Sequence, residues 1–266
     1  MNMKIHVVKI GGNLINDQEL LSSSLKAFCQ LKGNKILIHG GGKKANLISD
    51  QMGISTKLIQ GRRVTDKNIL DVVVMTYAGL INKKIVAKLQ SYDCNALGLC
   101  GADGNCVKSY FRKKTKTNII DYGYVGDLNR KSSVNTSLIK WILKKNIVPV
   151  LCPITHDGKG YLLNTNADTI AAYIAISLTN FVGVKVELHF CFEKKGVLRN
   201  IHDSESYLQK IDFRLFQKIK KNNSIKNGMI PKLENAFFAL KNGVSKVSIG
   251  LPYYLNDVNN KTILCL

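Results

Sequence analysis

No Cys-x-x-Cys pair occurs among the seven cysteines, Cys29, Cys94, Cys100, Cys106, Cys152, Cys191 and Cys265, and none pairs with a histidine at zinc-finger spacing. An odd count in mostly apolar contexts reads as reduced, structural thiols. Long apolar runs are missing too. The longest, around Ile170 to Leu178, is too short to span a bilayer, and Met1 to Lys9 holds no secretory core, so a cytosolic location is expected. Acidic residues are scarce: 18 Asp plus Glu stand against 39 Lys plus Arg, a net charge of +21. That excess raises a polyanion partner as one reading. The basic residues are spread over nearly every segment, however, with local clusters only at Arg112 to Lys116 and Lys218 to Lys221 and no regular aromatic interleaving. The expectation is salt-sensitive, nonspecific sticking to nucleic acid and no specific nucleic-acid partner. No linker rich in Pro, Gly or Ser divides the 266 residues, and no internal repeat of fixed period is present.

What is present begins at the first strand. Lys4 to Ile10 is an apolar, β-branched run that breaks into Gly11-Gly12-Asn13, ahead of an amphipathic stretch from about Asp17 to Leu31. Lys35 to His39 is a second short strand, ending in Gly40-Gly41-Gly42 before a helix over Lys43 to Met52. Glycine turns between strand and helix let the backbone approach an anion, and helix-start N–H groups point outward. Neither turn is a P-loop, and neither has the Gly-x-Gly-x-x-Gly spacing of dinucleotide binders.

Further along, Lys57 to Val64 alternates like a strand, and Asp66 reads as an N-cap to a long helix running to Leu89. Ala96 to Cys100, with the turn at Ala102 to Asn105 and the glycine-punctuated Tyr122 to Asp127, suggests a small antiparallel patch serving as a pocket wall. A helix over Thr136 to Lys145 and a buried strand over Ile147 to Cys152 follow. Leu162 to Asp168 leads into a helix over Thr169 to Leu178 and carries three alternating polar residues, Asn164, Asn166 and Asp168, more than a helix cap requires. Strands at Gly183 to Phe190 and Val244 to Ile249 alternate with helices near Asp212 to Lys220 and Ile230 to Leu240. Such alternation predicts a mainly parallel sheet with helices on both faces.

Five segments in this order, Val8-Lys9-Ile10-Gly11-Gly12, His39 to Gly42, Gly61-Arg62-Arg63-Val64-Thr65, Asn164 to Asp168 and Gly228-Met229-Ile230-Pro231-Lys232, together resemble the amino acid kinase family. The resemblance covers nearly the whole chain. It implies a three-layer α/β/α sandwich with a mainly parallel central sheet, one domain over residues 1–266. Its N-terminal half, about 1–180, would bind an acyl amino acid and its C-terminal half, about 181–266, a nucleotide. It also implies ATP and Mg²⁺, and a homodimer paired through the long helix after Asp66. The first strand begins at about Lys4, and arginine-inhibited relatives carry an extra helix before it, so the expectation is a dimer without arginine feedback.

The reaction implied is phosphorylation of the side-chain carboxylate of an N-acylglutamate, N-acetyl-L-glutamate by default and N-succinylglutamate as the alternative, in arginine synthesis. Other readings are a different member of the family or, less in keeping with the motifs, a basic nucleic-acid-binding protein. By resemblance, Lys9 and Lys232 flank the moving phosphoryl group and Asp168 holds both. Gly11, Gly12 and Gly41 offer backbone donors, the first two toward the nucleotide, while Gly41, Gly42, Arg63 and Asn164 face the acceptor. Arg62 reads as surface. A dedicated protein site for the metal is not expected. Where relatives usually carry Thr/Ser-Asp shortly before Gly-Val-Leu, this chain has Phe192-Glu193-Lys194-Lys195-Gly196, so Glu193 stands as the acid on the nucleotide side.

Overall fold

The computed structural model describes residues 3–59, 61–113, 120–129, 131–200, 202–222, 225, 228–257 and 259–266. Lys114 and Lys116 of the first basic cluster lie outside these. The first half runs β1 (Met3–Ile10), α1 (Gly12–Asn16), α2 (Gln18–Cys29), β2 (Asn34–His39), α3 (Gly42–Gln51), β3 (Leu58–Ile59), β4 (Arg62–Arg63), α4 (Lys67–Val74), a π-helical segment Met75–Ile81 and α5 (Asn82–Gln90). Then come β5 (Ala96–Leu99), β6 (Tyr110–Phe111), β7 (Val125–Asp127), α6 (Thr136–Lys144), β8 (Val148–Leu151), β9 (Ile154–His156), β10 (Leu162–Thr165) and α7 (Ala167–Leu178). The last third holds β11 (Val184–Cys191), β12 (Lys210–Asp212), α8 (Phe213–Lys221), α9 (Met229–Lys241), β13 (Lys246–Gly250) and β14 (Thr262–Cys265).

Eight strands form one sheet in the order β12-β14-β13-β11-β1-β2-β8-β5, parallel throughout except where β14 meets β13. The period of β1 shows why it sits centrally. Ile5 and Val7 enter one core with α6 to α9, while Val8 and Ile10 enter the other with α1 to α5. A parallel strand covered on both faces needs an apolar side chain at almost every position. The result is the α/β/α sandwich that the alternation of elements predicts.

Three local expectations change. Ala96–Leu99 is not in the small patch; it pairs in parallel with β8 at the edge of the main sheet, because α6 supplies the crossover that a parallel neighbour requires. The patch itself is β6-β7-β10-β9, in which β7 and β10 run parallel, so Asn164 belongs to it. The helix expected from Asp17 starts earlier, as the single turn of α1, and restarts at Gln18 because the Asp17 carboxylate accepts from the Glu19 and Leu20 N–H groups. Asp66 does cap the long helix, accepting from Ile69 N, but its middle turns widen into the π-helical segment.

Candidate active site

The register of the central strands brings the two glycine turns together. Ile10 and His39 are partners across β1 and β2, and the Gly40 N–H donates to the Ile10 carbonyl at 3.2 Å. A Cβ on Gly40 would stand 3.6 Å from the Gly12 nitrogen. At Gly41 there is no space for one: it would meet Ile81 Cδ1 at 2.6 Å and the Tyr77 ring at 2.8 and 2.9 Å. His39 secures this turn from beneath. It is fully buried, its Nδ1 donates to the Gly40 carbonyl at 2.7 Å, and its Nε2 accepts from Asn82 at 3.1 Å. Burial lowers its pKa to about 4, so it is held neutral.

Not every turn N–H is available to a ligand. Gly11 donates to the Cys191 carbonyl at 2.9 Å, continuing the β1–β11 ladder, so the backbone donor expected there is already used. Gly12 opens α1, where first-turn N–H groups have no acceptor within the helix.

Between the turns and α7 lies a buried ion triplet. Lys9 Nζ is 2.8 Å from Asp168 Oδ1, and Lys232 Nζ is 2.9 Å from Asp168 Oδ2. Asn166, not Asp168, caps α7 by accepting from Thr169 N, which releases the Asp168 carboxylate from that task. Burial works to raise the Asp168 pKa, but Lys232 and Lys9 outweigh it and hold the carboxyl well below its usual range. For Lys232, burial lowers the pKa against the pull of Asp168, and Lys9 adds to the lowering. Two cations share one anion, so the triplet carries a net positive charge in a dry setting, which suits a further anion.

One cavity of about 200 Å³ lies on the near side, lined by Gly41, Gly42, Arg63, Tyr77, Asn164, Asn166 and Ala167 among others. Arg63 Nη2 donates to the Gly42 carbonyl at 2.9 Å, whereas Nη1 is buried with no partner. Leaving a charged donor so costs on the order of 1–3 kcal/mol or more, which an incoming carboxylate would recover. Asn164 Nδ2 donates to Thr65 Oγ1 at 3.0 Å, and Thr65 Oγ1 in turn donates to the Arg63 carbonyl at 3.1 Å. Thr65 enters the sequence reading only as the end of the Gly61–Thr65 segment, with no role of its own, and Tyr77 does not enter it. Tyr77 sits in the π-helical segment, where its pKa is raised by burial and opposed by the adjacent Arg63. Arg62, read as surface, is half-buried and lines this cavity too.

A second, larger cavity of about 650 Å³ lies beyond Lys232 and is walled mainly by apolar groups of Phe192, Leu198, Ile225 and Met229. Asn13 and Glu193 supply polar atoms there, Asn13 Nδ2 donating to Glu193 Oε1 at 2.5 Å. Among the described residues, Glu193 is the one carboxylate lining either cavity. No His/Cys/Asp/Glu cluster of metal-ligand geometry occurs at the site among the described residues.

Glycine turns at the carboxyl ends of parallel strands, two cavities, and a Lys9–Asp168–Lys232 triplet whose Lys232 lines the larger of them define an α/β protein with the parts of an anion-binding site. The chain belongs to the amino acid kinase family, whose model matches residues 4–250. It is 48% identical to the acetylglutamate kinase of Cytophaga hutchinsonii, over 98% of this chain and 97% of that one. It is 46% identical to the acetylglutamate kinase of Bacteroides fragilis, over 94% and 93%. A solved structure from Streptococcus mutans UA159 superposes with a TM-score of 0.79 at 27% identity, covering 99% of each chain.

Proposed function

We propose that the protein transfers the γ-phosphoryl group of ATP to the side-chain carboxylate of N-acetyl-L-glutamate, giving an acyl phosphate for arginine synthesis. The observation that carries this reading is the unpartnered Arg63 Nη1 in a small polar cavity beside the Lys9–Asp168–Lys232 triplet. Near-complete, near-half-identical relatives named for this activity support it. Arg63 and Asn164 would hold the acceptor's α-carboxylate, leaving the side-chain carboxylate toward the triplet, with Gly41 and Gly42 along the wall.

The acceptor needs no general base. A glutamate side chain with an ordinary pKa of about 4.3 is already ionised at neutral pH and can attack phosphorus directly. Its oxygen forms the new bond to the γ-phosphorus while the bond to the bridging oxygen breaks and ADP departs. Charge shifts onto the leaving and transferring oxygens during that step. Lys9 and Lys232, fixed beside them, gain interaction energy in the transition state, and Asp168 is the residue that positions both. Mg²⁺ would supply charge neutralisation on the nucleotide phosphates. With both Asp168 oxygens facing ammonium groups and Glu193 bonded to Asn13, the residues fit a metal carried in on the nucleotide, not one held in a carboxylate cage.

The C-terminal half, about 181–266, would take the nucleotide in the larger cavity, with Gly12 and Glu193 at its phosphate side, and the N-terminal half, about 1–180, the acceptor. We place the protein in the cytoplasm as a homodimer. Exposed Leu47, Met52 and Met75 on the α3–α4 side favour a partner copy there, and light scattering at the monomer mass would overturn it. The test of the reaction is ADP release with Mg-ATP and a panel of acceptors: N-acetylglutamate, N-succinylglutamate, glutamate and carbamate. Highest kcat/KM for N-acetylglutamate is expected. A large preference for N-succinylglutamate corrects the acyl group, and turnover of neither N-acylglutamate rejects the proposal.

A further inference from the structure

On the sheet face opposite Lys9, β1 and β11 carry a second group of chemically active side chains that phosphoryl transfer does not use. His6 pairs in register with Glu187, and His189 stands two residues further along β11 on the same face. His6 and His189 are buried, at 4% and 1% exposure. His6 Nδ1 lies 3.1 Å from His189 Nε2, and Glu187 Oε2 lies 3.6 Å from each of these nitrogens. Their mean separation is about 3.4 Å, the spacing of tetrahedral ligands held about 2.1 Å from a zinc ion.

We propose that His6 Nδ1, His189 Nε2 and Glu187 Oε2 form a binding site for a divalent transition-metal ion of the zinc type, which ties β1 to β11.

The outer atom of each ligand is already held, as metal ligands require. His189 Nδ1 is 2.8 Å from Ser248 Oγ, the His6 ring hydrogen-bonds the Lys32 backbone, and Lys4 Nζ is 2.9 Å from Glu187 Oε1. Lys4, Lys35, Lys246 and Lys261 surround the cluster with positive charge, which opposes any cation. Two of these are turned away: Lys35 Nζ to the Cys29 and Leu31 carbonyls, and Lys261 Nζ to those of Tyr254 and Leu255. Two imidazole nitrogens with one carboxylate oxygen favour a zinc-type ion over Mg²⁺ and Ca²⁺, which prefer oxygen cages, and the nitrogen bonds must outweigh the remaining repulsion. Three protein ligands leave a fourth position for water.

The site is tested on full-length protein stripped with a chelator and dialysed, then titrated with Zn²⁺ and with Co²⁺. One Zn²⁺ per chain is expected, with Tm raised by about 5 °C at saturating metal. Co²⁺ should give visible ligand-field bands without the near-ultraviolet thiolate band that the seven cysteines would produce. His6→Gln with His189→Gln should abolish binding. Because that pair is buried, Glu187→Gln, at a partly exposed position, serves as the second variant and should weaken binding at least tenfold. No ion retained by the unaltered protein, a thiolate band, or equal affinity in the unaltered and Glu187→Gln proteins would each overturn the site.

Discussion

The two cavities of the candidate site are lined by different kinds of group. The smaller one presents buried, directed polar groups: Arg63 with an unpartnered nitrogen, Asn164 tied to Thr65, and a glycine turn that cannot accept a Cβ. The larger one presents mostly apolar wall, with Glu193 and Asn13 satisfying each other. Buried polar groups punish a wrong ligand because they are left unpaired, whereas apolar walls discriminate weakly. If the acceptor occupies the smaller cavity and the nucleotide the larger, as proposed, the acceptor side is the selective one and the nucleotide side tolerates change. The departure at Phe192-Glu193 falls on the tolerant side.

Substitutions can break this contrast, beginning with the Lys9–Asp168–Lys232 triplet. Lys232→Ala should lower kcat by roughly 10²- to 10³-fold with little change in either KM, as for loss of one oxyanion donor; stopped assays at saturating substrates measure it. Asp168→Asn should lower kcat comparably, since both ammonium groups lose their anchor, and should destabilise the fold as well. The sign of its pH dependence follows from the depressed carboxyl. An unfolded Asp titrates near 3.9, so the stabilisation is fully present above about pH 4 and is lost as the pH falls toward the lower folded value. Urea unfolding should show the gap between the two proteins narrowing below pH 4.

Smaller effects sharpen the contrast. Asn164→Ala should raise KM for the acceptor about tenfold, in line with a buried hydrogen bond to a charged group, and leave kcat within a few-fold. Glu193→Gln keeps the acceptor atom for Asn13 and should shift KM for ATP by about threefold or less, read from initial rates. A Glu193→Gln loss as large as that of Asn164→Ala would erase the proposed asymmetry.

Much of this layout was legible in the residues, for identifiable reasons. Strands such as Lys4–Ile10 and Lys35–His39 are local, apolar and stopped by glycine, and the helix after Asp66 announces itself by its cap. Asp168 could be separated from capping only once Asn166 was seen to do that work. What stayed hidden depends on partners distant in sequence. The Gly11 N–H is consumed by Cys191, 180 residues away, and β5 joins the main sheet through a register that its four residues do not encode. The short strands β12 and β14 went unread because they pair with distant partners: Lys210 lies opposite Ile263, and β14 also joins β13. Tyr77 gave no signal beyond an apolar helix position, since its role comes from the widened turn that brings it to Arg63.

The central claim is a division of labour between cations that act on the moving phosphoryl group and groups that hold the acceptor. Steady-state kinetics of Lys9→Ala and Arg63→Ala, measured side by side with N-acetylglutamate and Mg-ATP, test it most directly. Lys9→Ala should lose roughly 10²- to 10³-fold in kcat with KM for the acceptor little changed. Arg63→Ala should raise that KM by about ten- to a hundredfold with kcat nearly intact, because the carboxylate it grips does not change charge in the reaction. Near-normal kcat in Lys9→Ala, or a loss in Arg63→Ala confined to kcat, would contradict the account.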